Sequence, residues 1–169
     1  LDTLDYIIDF ALSNKVDLVL FAGDAYKSRD PSQTHQREFA KRIATLSTAG
    51  VPVFLLVGNH DLPHIASRAT ALEIFRTLTV PNVTVGDTLS THRIETVNGP
   101  IQIISLPWIR RSSFLAREET RQLTIEEINN QLQERVTNLL KLQIDSLNKS
   151  EPAVLTGHIT LNTARTSSE

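Results

Sequence analysis

The apolar positions of the first sixty residues switch between helical spacing and short continuous runs. Residues 1–14 carry apolar side chains three and four positions apart, which predicts a helix. Continuous apolar runs over residues 17–22 and 51–57 predict strands that are buried on both faces. Helical spacing returns between them over residues 33–49, and Gly50 follows where a helix end favours glycine. This order of strand, helix and strand predicts an α/β layer.

Shorter extended runs dominate the middle of the chain. A helix is predicted near residues 66–78, where Thr70 and Glu73 have the spacing of a capping box. Strands are predicted beyond it, and the dipeptide Asn98-Gly99 is a strong signal for a hairpin turn between the last two of them. The predicted strands cover residues 83–85, 93–97 and 101–106. We expect this hairpin to be an insert in the α/β layer.

A long helix and a final strand complete the pattern. Thr124 and Glu127 repeat the capping-box spacing in front of an amphipathic helix over residues 124–147, which we expect to cover the sheet. The last strand spans residues 153–156 and runs into a Gly-His pair. No repeat or interdomain linker interrupts the sequence, so we expect residues 1–169 to belong to one domain.

Composition restricts the chemistry that the chain can perform. Its 169 residues are 40% hydrophobic and include no cysteine, so any metal site must use oxygen and nitrogen ligands. The formal net charge of −2 does not indicate a nucleic-acid-binding protein, and a polyanionic substrate would need local positive charge or bound metal. The absence of cysteine fits a reducing cytoplasm. The sequence has no long apolar run and no leader pattern, so no membrane partner is expected.

Both ends of the sequence suggest a piece of a longer protein. Leu1 already lies inside the helical pattern, and the chain contains no methionine. The last ten residues are mostly polar and add no closing element. We therefore expect further residues on both sides of this chain.

Three apolar strands end in the same way, with a glycine and then a side chain that can bind metal. Asp24 follows "LVLFAG", Asn59 follows "FLLVG" and His158 follows "AVLTG". Because ligands bind at the carboxyl ends of strands in an open α/β sheet, we expect the three side chains to meet at one sheet edge. Each also has an ordinary alternative as a turn or capping residue.

The chemistry of this set favours a divalent metal site. Carboxylate, amide and imidazole ligands suit Mn²⁺, Fe²⁺ or Zn²⁺, and a carboxylate can bridge two ions in phosphoester hydrolysis. Asp24 is the candidate bridge, and Asn59 and His158 would complete one ion. His60 is a candidate proton donor to a leaving oxygen or a candidate stabiliser of transition-state charge, and Asp61 would orient it.

The segments "GDAYKSRDPS", "GNHD" and the late "GH" resemble the calcineurin-like metallophosphoesterases, and their spacing resembles the SbcD-type DNA-repair nucleases. The resemblance implies an α/β sandwich of mixed sheets flanked by helices, with two divalent ions, Mn²⁺ being favoured. It also implies that Asp24 bridges the ions, that Asn59 and His158 bind the second ion, and that His60 is catalytic. The family's Asp-x-His and Gly-His-x-His motifs would lie outside residues 1–169, so we expect this chain alone to bind metal poorly and to be inactive.

One segment departs from the family pattern. Some members carry a histidine where this chain has Lys27, and an arginine where it has Asp30. Lys27 and Arg29 are candidates for phosphate binding, although both are also ordinary loop charges. Trp108 fits packing better than base stacking, and His64 fits a surface role better than a place in a substrate groove.

The predicted function is that of a two-metal phosphodiesterase, acting as a DNA exonuclease or endonuclease in double-strand break repair or hairpin processing. The resemblance further implies an SbcC-like ATPase partner and homodimerisation through the helices that follow the first two motifs. Two alternatives are another phosphatase or phosphodiesterase of the superfamily and a non-catalytic scaffold with the same fold.

Overall fold

The computed structural model of the chain describes residues 2–65, 68–110 and 123–160. Its helices and strands alternate over the first half of the sequence and form two separate three-stranded sheets. The helices are α1 (Asp2–Ser13), α2 (Gln33–Thr48), α3 (Glu73–Thr77) and α4 (Ile125–Asp145). The strands are β1 (Val19–Phe21), β2 (Val53–Leu56), β3 (Val83–Gly86), β4 (Ser90–Ile94), β5 (Ile101–Leu106) and β6 (Ala153–Gly157).

The first sheet is parallel and has the order β1-β2-β3. Every residue of its central strand β2 is buried. Val53 and Leu55 pack into the core that α1, α2 and α3 share, whereas Phe54 and Leu56 pack against Ile103 of the second sheet. Burial on both faces explains the continuous apolar run from which this strand was predicted.

The second sheet is mixed, because β4 pairs antiparallel with β5 and β5 pairs parallel with β6. Thr96 and Gly99 exchange two backbone hydrogen bonds in the turn between β4 and β5, and Gly99 has a φ of 114°. The hairpin prediction is therefore confirmed, but the hairpin is not an insert. Its second strand pairs with β6, so the three strands form a sheet of their own.

The long helices begin and end where the sequence predicts. Ser32 caps α2, and Gly50 follows it with a left-handed φ of 79°. Thr124 and Glu127 form both bonds of a capping box at the start of α4. The helix predicted near residues 66–78 is only five residues long where it is described, Glu73–Thr77, and the Glu73 amide donates a hydrogen bond to the Thr70 hydroxyl ahead of it.

Packing is uneven between the two sheets. No residue of α4 is buried, and of β6 only Thr156 is buried. A hydrogen bond from the Thr91 hydroxyl to Gln143 joins α4 to β4. The dense core thus lies around the first sheet, and the carboxyl end of that sheet is where the candidate site begins.

Candidate metal centre

Asp24, Asn59 and His158 lie together, although they come from two different sheets. The Nε2 atom of His158 is 3.0 Å from Oδ1 of Asn59 and 3.5 Å from Oδ2 of Asp24. Asp24 and Asn59 follow β1 and β2 of the first sheet, whereas His158 follows β6 of the second. The expectation of one shared sheet edge is therefore wrong for His158, because β6 pairs with β5 and not with the first sheet. The carboxyl ends of β1, β2 and β6 nevertheless lie close together.

Two backbone hydrogen bonds hold the strand ends in this arrangement. The His158 amide donates to the carbonyl oxygen of Leu106 over 2.9 Å, which extends the pairing of β6 with β5. The Trp108 amide donates to the carbonyl oxygen of Val57, also over 2.9 Å, and joins the end of β5 to the end of β2. This second bond fixes the distance between the sheets at the site.

The orientation of the His158 ring follows from its other nitrogen. Nδ1 lies 2.9 Å from the carbonyl oxygen of Ala22, and because a carbonyl oxygen can only accept, Nδ1 must carry a hydrogen. In the neutral ring, the lone pair of Nε2 then points toward the Asp24 and Asn59 oxygens. This lone pair and the oxygens repel one another, and a cation between these atoms, or a proton on Nε2, removes the repulsion. The donor arrangement therefore fits a divalent metal ion.

Two glycines allow the close approach of the site residues. A Cβ on Gly23, which has a φ of 100°, would lie 2.2 Å from Nδ1 of His158. A Cβ on Gly58 would lie 2.3 Å from both the amide nitrogen and Oδ1 of Asp24. No side chain fits in either place without displacing a candidate ligand. Glycine is therefore favoured directly before Asp24 and directly before Asn59, because a Cβ at either position would collide with a site residue.

Asp24 combines an unusual backbone with a fixed carboxylate. Its φ of 54° is left-handed, a conformation that is uncommon outside glycine but more accessible to aspartate and asparagine. Oδ1 accepts a hydrogen bond of 2.8 Å from the His60 amide, and Oδ2 faces His158. One carboxylate oxygen is therefore anchored, and the other is available to a ligand.

Asp61 joins the two loops that carry these residues. Its side chain is buried, with 1% exposure, and accepts hydrogen bonds from the Gly58 amide over 2.8 Å and from the Tyr26 amide over 3.3 Å. Burial raises the pKa of this carboxyl group, and the two amides oppose that shift. Among the hydrogen bonds of residues 2–65, none joins Asp61 to the His60 imidazole. The Asp61 contacts hold the backbone two residues after Asp24 and directly before Asn59.

Few side chains that can bind a metal ion lie in the described part of the site. Within residues 2–65, 68–110 and 123–160, no group of three or more His, Cys, Asp or Glu side chains is placed to hold a metal ion. Asp24 and His158 form a pair, and the amide of Asn59 is the third donor. Such a mixture of oxygen and imidazole donors is suited to Mn²⁺, Fe²⁺ or Zn²⁺.

The basic candidates lie in and around a groove beside the site loops. Lys27 is exposed, and Arg29 is partly buried and lines a groove of about 430 Å³ together with the exposed His64 and Arg68. Arg110 donates a hydrogen bond to the carbonyl oxygen of Pro63. Three further arginines that follow Arg110 in the sequence, Arg111, Arg117 and Arg121, lie outside the described residues.

Sequence reasoning missed the place of Trp108. Its indole lies edge-on to the His158 imidazole, with ring centroids 6.2 Å apart and ring planes at 70°. The available signal was its position two residues beyond the end of β5, where a side chain reaches the same end of the sheets as the candidate ligands.

The calcineurin-like phosphoesterase profile matches residues 1–168. The chain belongs to the calcineurin-like phosphoesterase family. The predicted family and its α/β fold of mixed sheets and helices are thereby confirmed, and the fold implies divalent metal ions.

Three relatives are named as a DNA double-strand break repair protein or as a subunit of a nuclease. The chain is 22% identical to the SbcD subunit of nuclease SbcCD from Escherichia coli over 163 residues, which cover 93% of this chain and 40% of the relative. It is 36% identical to DNA double-strand break repair protein Mre11 of Thermoplasma acidophilum over 62 residues, or 37% of this chain and 16% of the relative. A match at 31% identity to the SbcD subunit of nuclease SbcCD from Bacillus subtilis covers 42% of this chain and 18% of the relative. The chain thus spans at most 40% of the length of these relatives.

No helix in residues 2–65, 68–110 and 123–160 is both long enough and apolar enough to cross a lipid bilayer.

Proposed function

We propose that this chain is part of a Mn²⁺-dependent DNA nuclease that hydrolyses phosphodiester bonds during double-strand break repair or hairpin processing. The observation that carries the proposal is the approach of His158 to Asn59 and Asp24, at 3.0 and 3.5 Å, with its Nε2 turned toward both oxygens. The relatives named as a component of nuclease SbcCD and as Mre11 support DNA as the substrate.

Asp24, Asn59 and His158 are the residues that would hold the metal, with Asp24 as the carboxylate shared between two ions. Divalent ions in such a site polarise phosphoryl oxygens, activate water and neutralise charge that develops on phosphorus. The chain contributes orientation, because Ala22 fixes the His158 ring and the His60 amide fixes one Asp24 oxygen.

His60 is proposed to give a proton to the leaving oxygen. Its amide is bound to the carboxylate of Asp24, so its imidazole is attached to a backbone that the candidate metal ligand holds in place. Asp61 supports this geometry by holding the Gly58 and Tyr26 amides. Asp61 is thus a positioning residue for the loop on which His60 lies.

Lys27 and Arg29 are proposed to contact the phosphate backbone of the substrate. Lys27 is exposed, and Arg29 lines the groove that also holds Arg68. Both follow Asp24 closely in the chain, so a strand of nucleic acid that places one phosphate at the metal centre can place a neighbouring phosphate near these charges.

A partner ATPase and a second copy of the chain are also proposed. The relatives from Escherichia coli and Bacillus subtilis are each named as one component of the SbcCD complex, which supports an SbcC-like partner here. Ile74 and Leu78, in and directly after α3, are 49% and 66% exposed, which supports a contact between two copies. Replacing both by glutamate is expected to change the mass measured by sedimentation from dimer to monomer.

The catalytic roles are tested by comparing two neighbouring residues in the gene product that contains this chain. His60→Ala is expected to lower the rate of Mn²⁺-dependent DNA cleavage by about 10²–10⁴-fold while calorimetry still detects metal binding. Asn59→Ala is expected to weaken metal binding itself. His35→Ala, on the exposed surface of α2, is the control and should change neither.

Two outcomes would contradict these roles. Cleavage at the wild-type rate by His60→Ala would remove His60 from the mechanism. Unchanged Mn²⁺ affinity in both Asn59→Ala and His158→Ala would remove the metal centre. A substrate panel of DNA ends, DNA hairpins, nucleotides and a phosphopeptide tests the substrate class, and turnover of the last two alone would favour another branch of the family.

A further inference from the structure

Trp108 contacts the candidate metal centre through its backbone and through its ring. The backbone amide donates to the carbonyl oxygen of Val57, at the end of β2, over 2.9 Å. The indole lies edge-on to the imidazole of His158 at a centroid distance of 6.2 Å and an angle of 70°. This distance and angle are those of a favourable aromatic pair, in which the positive ring edge meets the negative ring face.

The His158 ring needs such a contact. Its side chain is 23% exposed, and its polar contacts are made by the two ring nitrogens, Nδ1 with Ala22 and Nε2 with Asn59. These contacts do not hold the faces of the ring, and a tilt of the ring plane turns the Nε2 lone pair away from Asp24 and Asn59. A neighbouring aromatic ring limits this motion, because a displaced imidazole loses the contact.

We propose that Trp108 is a positioning residue for the metal centre, whose indole holds the His158 imidazole with Nε2 directed at Asp24 and Asn59. This inference rests on the proposed function, since it requires His158 to be a metal ligand. Trp108 touches neither the metal nor the substrate in this role. It sets the metal affinity through the ring of His158.

On its other side Trp108 borders a groove, so no neighbouring side chain would fill the space that the indole leaves after a substitution. Trp108 lines a groove of about 540 Å³ together with Leu106 and Ile109, and with Leu132 and Val136 of α4. Trp108 therefore lies between this groove and His158. A shorter side chain at position 108 would open the groove toward His158, and the imidazole would gain room to move.

The first test measures Mn²⁺ affinity by calorimetry in the gene product that contains this chain. Trp108→Ala is expected to raise the dissociation constant by about three- to tenfold, which is the range that the energy of an aromatic pair gives. Trp108→Phe keeps an aromatic ring and should stay within about twofold of the wild type. Phe10→Ala removes a half-exposed aromatic ring from α1 and is the matched control with no expected change.

Non-additivity separates positioning from a general loss of structure. In a His158→Ala background, Trp108→Ala should cause no further loss of Mn²⁺ affinity, because the ring that it positions is gone. A further loss of the same size would overturn the proposal. If Trp108→Ala does not fold, Trp108→Leu keeps most of the apolar volume and removes only the aromatic edge, and the same comparison applies.

Fluorescence gives an independent measurement, since Trp108 is the one tryptophan of the 169 residues. The emission of Trp108 is obtained by subtracting the spectrum of Trp108→Phe from that of the wild type. Paramagnetic Mn²⁺ should quench this emission over the concentration range of the calorimetric titration, and His158→Ala should shift that range to higher concentration. Emission that does not respond to bound Mn²⁺ would contradict the contact.

The metal centre and the positioning role of Trp108 can fail separately. If His158→Ala leaves the Mn²⁺ affinity unchanged, His158 is not a metal ligand and the role of Trp108 falls with it, and the proposed metal centre falls as well if Asn59→Ala also leaves the affinity unchanged. If His158→Ala weakens binding but Trp108→Ala and Trp108→Leu do not, the metal centre stands and only the positioning role is overturned.

Discussion

The two sheets of this protein differ in how completely their strands are covered. In the first sheet, β2 is buried on both faces, between the helices and the second sheet. In the second sheet, β5 is mostly buried, but β6 exposes Val154 and Leu155 by 42% and 53%. The long helix α4 buries no residue at all. The chain is therefore densely packed on one side of the candidate metal centre and sparsely packed on the other.

This difference shows how the site is divided. The first sheet supplies Asp24 and Asn59 on loops that Asp61 ties together from within the core. The second sheet supplies His158 from the end of an exposed strand, so the position of His158 depends on the contacts made by its own ring and backbone. The candidate ligands of the first sheet are held by hydrogen bonds that the buried Asp61 accepts from their loops, and the candidate ligand of the second sheet is held by a few contacts of its own ring and backbone.

The largest expected effect comes from a core residue between the sheets. Phe54 has no exposed surface, so Phe54→Ala should lower the free energy of unfolding by about 3–5 kcal/mol, measured by urea denaturation. Leu155→Ala on β6 should cost less than about 1 kcal/mol, because half of that side chain is already exposed. An equally large loss at Leu155 would show that another part of the protein, or a partner, covers β6.

The sequence predicted the densely packed side better than the other. The apolar run of β2 and the Gly-Asn-His-Asp that follows it were readable because burial on both faces leaves a local signature. The strand β4 was placed too late in the chain, since Ser90, Thr91 and His92 read as a loop and become a strand only through pairing with β5. No local signal could assign β6 to a separate sheet, because strand order is decided by long-range pairing.

The site was predicted in part for the same reason. Three candidate ligands could be recognised because each follows a strand and a glycine. The contact of Trp108 with His158 and the bonds from Asp61 to backbone amides join residues that are far apart in sequence. Such contacts depend on where two loops meet, and no pattern within either loop reveals them.

A second prediction compares one glycine from each side. Gly23→Ala and Gly99→Ala both place a side chain at a positive φ, of 100° and 114°, and the backbone strain alone should cost each variant about 1–2 kcal/mol of stability. Only at Gly23 does the new Cβ meet His158, whereas at Gly99 no atom lies within 4 Å. Gly23→Ala should therefore also weaken Mn²⁺ binding, measured by calorimetry. Equal metal affinities in the two variants would mean that His158 is not held against Gly23.

A third prediction concerns the weakly packed helix. Thr124→Ala removes the capping box of α4 and should destabilise the helix by about 1 kcal/mol. Because α4 buries no residue, the loss should appear as faster hydrogen exchange over the first turns of α4, with little change in the amides of β2. Thr124→Ser retains the hydroxyl and is the control. Equal acceleration of exchange in β2 would show that α4 and the core unfold as one unit.

The smallest effect should come from His92, which lies between the sheets. Its ring packs edge-on to Phe54 at 5.1 Å, and its Nε2 lies 3.0 Å from the hydroxyl oxygens of both Ser90 and Ser105. Burial lowers the pKa of His92, and the charge of Asp87 opposes this shift. The unfolded chain therefore takes up the proton first as the pH falls below the ordinary value of about 6.5. Stability should decrease in that range.

This decrease should be smaller in His92→Asn than in the wild type, as measured by thermal unfolding between about pH 7 and pH 5. His35→Asn is the control, since His35 lies on the exposed part of α2 and should leave the pH dependence unchanged. A wild-type pH dependence in His92→Asn would show that His92 does not couple the two sheets to pH.

The division of the site between two sheets also sets the order in which it can form during synthesis. His158 is separated by 136 residues from Ala22 and by 99 residues from Asn59, the partners of its two ring nitrogens. The ribosome must therefore synthesise and release nearly all of residues 1–158 before His158 can reach Asp24 and Asn59. The first sheet can pack earlier, with Asp24 and Asn59 already in place. An ion that needs all three candidate ligands can bind only afterwards, so metal binding would be a late event in the synthesis of residues 1–158.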